Sequence, residues 1–218
     1  KRAEPTAGLT EGVVTSRDGT TIAFDQQGEG PPLILVAGAL SDRSDAKKLA
    51  TLLAEHFTVI NYDRRGRGDS GNTEPYSVDR EIEDLEALIE AAGGSAHVFG
   101  SSSGAVLALR AASSGANVTK LALFEPPIRL RDADDVAKAP TDSAARAREL
   151  IQAGRRNDAV KHFMTHDVGV PGPFLLIMRV TMRKMWSHMI AMAHTLPYDY
   201  ALVEDDVDGK PLAGLEWV

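Results

Sequence analysis

The feature that most constrains the fold is a run of serines between two glycines, Gly100-Ser101-Ser102-Ser103-Gly104, with an apolar stretch on each side. The apolar residues 96–99 before it are typical of a buried strand, and residues 105–109 after it are typical of a helix. A serine at the apex of such a strand-to-helix turn is exposed, and glycines two residues away relieve the crowding. The pattern predicts a nucleophile elbow with Ser102 at its apex.

An elbow of this kind supplies groups that acyl transfer needs. The turn points backbone amides, including that of Ser103, toward the place where an acyl oxyanion would form, and the following helix N-terminus adds positive potential. Ser102 is therefore the candidate nucleophile, and the Ser103 amide is a candidate oxyanion-hole donor. The alternative interpretation is a flexible loop, because glycine and serine are common in loops.

Three stretches in this order resemble the α/β-hydrolase superfamily, in particular its small bacterial esterases, lactonases and cofactor-free haloperoxidase-like members. They are residues 33–39, residues 59–70 and the elbow. The resemblance implies an α/β-hydrolase fold, in which a mostly parallel sheet is flanked by helices and carries an inserted helical cap. It also implies that the amide of Ala39 is a second oxyanion donor, although Ala37 stands where the family has a histidine, and that residues 59–70 are structural.

The order of local patterns agrees with such a sheet. Strands are predicted around a hairpin at Asp18-Gly19 and at 33–36, 57–62, 96–99 and 118–124, and helices at 45–55, 78–92, 105–113, 143–153, 157–165 and 174–194. Strands that alternate with helices favour right-handed crossovers and helices on both faces. We divide the chain into the N-terminal part of the core at 1–125, the cap at 126–200 and the start of a return to the core at 201–218.

The acid and histidine of a catalytic triad are the residues that the sequence does not supply. In the family they follow the nucleophile, on loops beyond the cap. No strand followed by an acid and then a histidine is found there, so we expect either that the C-terminal strands are missing from this chain or that the triad is unusual. Glu125, at the end of the strand 118–124, is a candidate acid, although Pro126-Pro127 behind it favours a structural role.

Five methionines follow a helical repeat within residues 174–194. They are Met178, Met182, Met185, Met189 and Met192, and their spacing of four and three residues predicts one face of one helix. Ordinary core packing is one interpretation. The other is that Met178, Met182 and Met185 line an adaptable apolar substrate pocket.

Composition limits the compartment and the partners. The chain of 218 residues is 43% hydrophobic, enough for a substantial core, and it has no cysteine, which fits a reducing, cytoplasmic location. The net charge of −7 argues against nucleic acid and anionic membranes. Neither a signal peptide nor a transmembrane segment is expected. A small uncharged or weakly polar molecule is the expected partner.

Two further motifs do not predict a cofactor or a metal. Residues 66–71 match the dinucleotide pattern G-x-G-x-x-G, but no helix opens there because the loop continues through Pro75. His162 and His166 are four residues apart, but Phe163 stands where a zinc protease has its glutamate, and a third ligand is not evident.

Two functions from different classes follow from these patterns. The first is a serine hydrolase acting on a small ester, lactone or thioester. The second is a non-catalytic scaffold, or a fragment, that binds a small apolar ligand. A sheet cut off after its sixth strand would have an open edge, which predicts a homo-oligomer or poor solubility.

Overall fold

A six-stranded sheet lies at the centre of the computed structural model, which describes residues 8–127 and 141–204. Its strands are β1 (Thr10–Thr15), β2 (Thr21–Gln27), β3 (Pro32–Val36), β4 (Thr58–Tyr62), β5 (Ala96–Ser101) and β6 (Val118–Phe124). They are arranged β1-β2-β4-β3-β5-β6. The pairs β1/β2 and β2/β4 are antiparallel and the others are parallel. The predicted sheet, with its hairpin at Asp18-Gly19, is confirmed.

Helices cover both faces of this sheet. Successive side chains of a strand point to opposite faces. Ile34 and Val36 of β3 accordingly pack with the helices α2 (Val78–Ala91) and α3 (Ser103–Ser113), while Leu33 and Leu35 pack on the other face with α1 (Lys47–Leu53). The run of buried residues in β3 therefore reflects a strand covered on both sides, as the apolar sequence predicts.

The topology brings two strand ends together. Strand β4, which follows β3 in the chain, lies on one side of β3, and β5 lies on its other side. Val36 at the end of β3 is in register with Gly100 of β5. In open α/β sheets, ligands bind at the carboxyl ends of the strands where the order reverses in this way. The loop after β3 and the turn after β5 are therefore neighbours.

The described part of the chain after β6 contains helices and no strand. Its helices are α4 (Thr141–Gln152), α5 (Arg156–His166), α6 (Gly172–Thr181), α7 (Arg183–Met192), a 3-10 turn (Ala193–Thr195) and α8 (Leu196–Glu204). They bury a second apolar cluster, which Leu40 from the loop after β3 joins. Helix α8 crosses the boundary predicted at residue 200, and its Leu202 already packs in the sheet core. Residues 128–140 and 205–218, which belong to the predicted cap and return segment, lie outside the described residues.

The prediction of one helix over residues 174–194 is wrong. The chain bends at Met182, where φ is −113° and ψ is 46°, so α6 ends and α7 begins there. Leu175 of α6 and Trp186 of α7 both pack in the second apolar cluster, whereas a straight helix of this length would extend about 30 Å away from it. The five methionines therefore do not share one face: Met182 is 47% exposed, whereas Met189 is buried.

Every helix in the described ranges is too short or too polar to traverse a lipid bilayer.

Candidate active site

Ser102 lies at the turn between β5 and α3 in a strained backbone conformation. Its φ is 52° and its ψ is −126°, a region that residues with a side chain rarely adopt, at a cost of about 1–3 kcal/mol. The Ser102 N–H donates to the carbonyl of Phe124 (2.9 Å), and its own carbonyl accepts the N–H groups of Ala105 (2.9 Å) and Val106 (3.3 Å). These bonds hold the turn, and Ser102 remains partly exposed.

Close backbone contacts require the two glycines that flank the elbow. A Cβ on Gly100 would lie 2.5 Å from the Cα of Ala105, and a Cβ on Gly104 would lie 2.5 Å from the carbonyl oxygen of Ala37. Side chains at these positions would push α3 away from the strands. The predicted role of the two glycines, to relieve crowding at the turn, is confirmed.

Gly104→Ala is expected to lower the free energy of unfolding by about 1–3 kcal/mol, because the added methyl group overpacks a backbone contact. Urea titration followed by circular dichroism measures the change. Gly172→Ala in α6 is the matched control, since a Cβ there meets no heavy atom within 4 Å. Equal stability changes in the two variants would contradict the expected crowding.

The loop after β3 lies beside the elbow and is held by two buried arginines. A Cβ on Gly38 would be 3.0 Å from the Cβ of Ser102. The Gly38 carbonyl accepts Nη1 of Arg67 (2.5 Å), and the Ala37 carbonyl accepts Nη1 of Arg64 (3.3 Å). These bonds brace the loop although position 37 has no side chain that could do so.

The two arginines belong to a buried ionic cluster next to the elbow, which we define as Arg64, Arg67, Glu81 and Asp199. Nε and Nη2 of Arg64 donate to the two oxygens of Glu81, each at 2.7 Å. Asp199 accepts Nη1 of Arg64 and Nη2 of Arg67, each at 2.8 Å, and the hydroxyl of Ser103 at 2.7 Å. The side chains of the cluster are at most 5% exposed.

In this cluster, charge pairing changes the pKa values more than burial does. Burial by itself would raise the pKa of the Asp199 carboxyl, but Arg67 and Arg64 hold it below its usual value. Burial would likewise lower the pKa of Arg64, yet Glu81 and Asp199 raise it well above its usual value. Arg64 and Asp199 are therefore charged at neutral pH.

Asp63 also follows a strand end, but its carboxylate is fully engaged elsewhere. It accepts the backbone N–H groups of Arg43 (2.8 Å) and Asp69 (2.9 Å) and pairs with the Arg43 guanidinium. Burial raises the pKa of Asp63, against the effect of these bonds. The contacts agree with the structural role expected of residues 59–70.

The structure does not join Glu125 to the elbow serine. Glu125 follows β6 in a left-handed conformation, with φ of 47°, and is exposed. Among the hydrogen bonds between described residues, none connects its carboxylate with Ser102. Its role as the acid stays a prediction.

The six histidines of the chain all lie in the described ranges, and no hydrogen bond there joins any of them to Ser102. His162 and His166 stack on α5 with ring centroids 4.3 Å apart, and Nε2 of His162 shares a hydrogen bond with the Ser143 hydroxyl at 2.9 Å. Burial lowers the pKa of His162, and so does the neighbouring His166. The base that Ser102 would need is not assigned by these contacts.

One group of side chains has the spacing to hold a small cation, and sequence reasoning did not connect its members. Donor atoms of Asp42, Asp45 and His188 lie within 4.8 Å of one another where α7 meets the loop after β3. Nε2 of His188 is 3.2 Å from Asp42 and 3.6 Å from Asp45. Both carboxylates also accept backbone N–H groups of their own loop, from Ser44 and Asp42.

Sequence reasoning missed the buried ionic cluster. The family resemblance implies only a structural role for residues 59–70, and Asp199 belongs to no motif. The sequence signal that could have singled out Asp199 is its place between two tyrosines in the apolar run 196–203. The pocket role of Met178, Met182 and Met185 stays a prediction; Met178 and Met185 are partly buried.

Comparisons with known proteins agree on one family. The model described as the alpha/beta hydrolase family matches residues 33–214. The crystal structure of an alpha/beta hydrolase from Sphaerobacter thermophilus is 55% identical, with a TM-score of 0.80, over 88% of this chain and 73% of that chain.

Two curated relatives match shorter segments. The uncharacterized hydrolase YraK of Bacillus subtilis is 38% identical over 95 residues, which are 42% of this chain and 35% of the relative. N-formylmaleamate deformylase of Pseudomonas putida is 38% identical over 105 residues, 46% of this chain and 39% of the relative. The matched segments thus span between a third and two fifths of these two relatives.

Proposed function

The chain belongs to the alpha/beta hydrolase family, and on this basis we propose that it is a serine hydrolase acting on a small ester, lactone or thioester through an acyl-enzyme on Ser102. The observation that carries the proposal is the φ of 52° at Ser102. Strain of this kind persists where the surroundings enforce it, and it collects at active sites. Here the backbone hydrogen bonds of Ser102 to Phe124 and to the first turn of α3 hold the strained conformation.

The first proposed oxyanion donor is the amide of Ser103. In a trans peptide the N–H and the C=O point in opposite directions. The Ser102 carbonyl accepts N–H groups from within α3, so the Ser103 N–H of the same peptide points out of the helix N-terminus. The positive end of the helix dipole lies there as well.

The second proposed donor is the amide of Ala39, and the same geometry supports it. Arg67 binds the Gly38 carbonyl, so the Ala39 N–H of that peptide points away from Arg67. Because the Cβ position of Gly38 lies 3.0 Å from the Cβ of Ser102, this peptide lies next to the proposed nucleophile. Two donors on one oxyanion are the usual arrangement for acyl transfer.

The proposed reaction has two steps. Oγ of Ser102 bonds to the carbonyl carbon while its proton passes to a general base, and the tetrahedral intermediate then breaks its C–O or C–S bond to the leaving group, which takes up a proton. Water adds to the acyl-enzyme, and the carboxylic acid and free Ser102 are released. We assign the general base to no described histidine.

We propose that residues 126–200 form a cap that supplies most of the substrate pocket. Leu40 supports this, because it lies beside Ala39 in the chain and packs in the apolar cluster of α4 to α8. Met178 and Met185 are proposed as adaptable pocket residues, whereas Met182 is too exposed to contribute much. An apolar wall and a net charge of −7 suit a small uncharged acyl compound better than an anionic polymer.

Hydrolysis assays on the full-length protein test the proposal. The panel contains p-nitrophenyl acetate, p-nitrophenyl butyrate, γ-butyrolactone and an S-acetyl thioester. We expect at least one to be hydrolysed, with a burst of p-nitrophenol equal to the active sites for the activated esters if deacylation is slower than acylation. A folded protein that hydrolyses none of them and resists a fluorophosphonate would contradict a hydrolase and support the non-catalytic scaffold.

A further inference from the structure

We infer that Asp199 is a positioning residue for the proposed oxyanion hole and holds its two amides in place through Arg67 and Ser103. The inference rests on the proposed function, because it concerns the same two amides. Asp199 lies on α8, at the C-terminal end of the residues that we propose as the cap. It would therefore make the geometry of the oxyanion hole depend on the docking of that helix.

A single carboxylate oxygen of Asp199 collects three donors. Oδ1 accepts the Ser103 hydroxyl at 2.7 Å and one guanidinium nitrogen each from Arg64 and Arg67 at 2.8 Å. Oδ2 accepts the same Arg67 nitrogen at 2.8 Å. Asp199 is 4% exposed, so little water competes for these bonds, and charge-assisted hydrogen bonds of this kind are strong.

The first route to the oxyanion hole runs through Arg67. While Nη2 of Arg67 binds Asp199, Nη1 donates to the carbonyls of Gly38 (2.5 Å) and Ser41 (3.2 Å). The guanidinium is planar and rigid, so the bonds between Nη2 and Asp199 also fix the direction in which Nη1 donates. The Gly38 carbonyl and the Ala39 N–H share one peptide plane, and the direction of that N–H follows from the position of Arg67.

The second route runs through Ser103, whose own amide is the other proposed donor. The Ser103 hydroxyl donates to Asp199 and lies 3.4 Å from Nη1 of Arg64. Ser103 is the first residue of α3, so this bond holds the first turn of the elbow helix against α8. The two proposed oxyanion donors come from separate segments of the chain, and the Asp199 carboxylate holds both of them in place. We call this carboxylate the anchor.

Charge and position predict opposite effects of removing this anchor. The formal charges of the buried ionic cluster sum to zero, and Asp199→Asn would leave it with an excess positive charge. If charge alone mattered, the substitution would stabilise an oxyanion and raise the rate. If position matters, the Ala39 amide shifts, and a misplacement of about 1 Å costs about 10²-fold.

Steady-state kinetics of the full-length protein distinguish the two effects. On p-nitrophenyl acetate we expect Asp199→Asn to lower kcat per titrated active site by about 10–100-fold while KM changes by less than about threefold. Arg67→Lys keeps the charge but loses the planar fork, and it should lower kcat in the same way. Combining the two substitutions should cost less than the product of the single effects, because both act on one route.

Asp158→Asn is the matched control, since that carboxylate is 39% exposed and pairs with Arg155 on the surface of α5. We expect it to leave kcat unchanged. If Asp199→Asn does not fold, Ser103→Ala takes its place, because it removes one bond to the anchor without a charge change. An unchanged or raised kcat in the folded variants overturns the inference and leaves the proposed function intact.

Amide hydrogen exchange gives a readout that does not depend on activity. Peptides that cover residues 37–41 should exchange faster in Asp199→Asn and Arg67→Lys than in the parent protein or in Asp158→Asn. Equal exchange rates in all four proteins would contradict the inference about Asp199 but not the proposed function. A parent protein that hydrolyses no substrate contradicts the proposed function and removes the catalytic part of the inference, while faster exchange would still establish the anchor.

Discussion

Ser102→Ala is expected to lower kcat for ester hydrolysis by about 10⁴–10⁶-fold, because it removes the oxygen that we propose as the nucleophile. Alanine keeps the Cβ of serine, and the backbone bonds of residue 102 to Phe124 and α3 do not involve the side chain. The variant should therefore fold as the parent protein does. The remaining rate would come from the oxyanion hole and substrate binding.

Steady-state hydrolysis of p-nitrophenyl acetate measures this loss, and urea titration shows whether stability has changed. Ser114→Ala is the matched control, because Ser114 is an exposed serine at the other end of the same helix. It should retain the parent rate. A Ser102→Ala variant that retained more than about one hundredth of the parent kcat would show that another nucleophile does the chemistry.

Arg64→Met is expected to lower the free energy of unfolding by about 3–5 kcal/mol, the usual cost of removing one partner from a buried ion pair. Arg64 is 1% exposed and Glu81 is 2% exposed. Without the guanidinium, Glu81 loses its bidentate partner, and Asp199 retains Arg67 and Ser103. Methionine fills a similar volume, so the loss measures unpaired charge more than an empty cavity.

Urea unfolding at neutral pH measures this effect, with Arg155→Met as the matched control. Arg155 pairs with Asp158 on the surface, where the two side chains are 55% and 39% exposed. Exposed pairs of this kind contribute about 0–1 kcal/mol. Similar losses of stability in the two variants would contradict the view that burial makes the Arg64 pairs costly to break.

The elements around the elbow could be predicted because local chemistry determines them. Asp18-Gly19 suits a tight hairpin turn, and the apolar residues 33–36 suit a strand covered on both faces. Ser77 and Gly93 mark the beginning and the end of a helix, which the structure has at Val78–Ala91. The glycines at 100 and 104 were predictable for the same reason, since the backbone contacts they permit belong to the turn itself.

The rest depends on contacts between distant parts of the chain. The spacing of apolar residues is helical on both sides of Met182, so the sequence contains no sign of the bend that lets Leu175 and Trp186 reach one cluster. The pair Arg67–Asp199 joins residues 132 positions apart. A lone aspartate in a helix does not indicate which arginine it will meet, and buried charges are rare enough that none was expected there.

Peptide mapping after reaction of the full-length protein with a fluorophosphonate tests whether Ser102 is the nucleophile. We expect one phosphonyl group per chain, on Ser102, and no adduct in Ser102→Ala. An adduct on another serine, such as Ser143 beside His162, would contradict the assignment of Ser102 as the nucleophile. The absence of any adduct on the folded parent protein would contradict it as well.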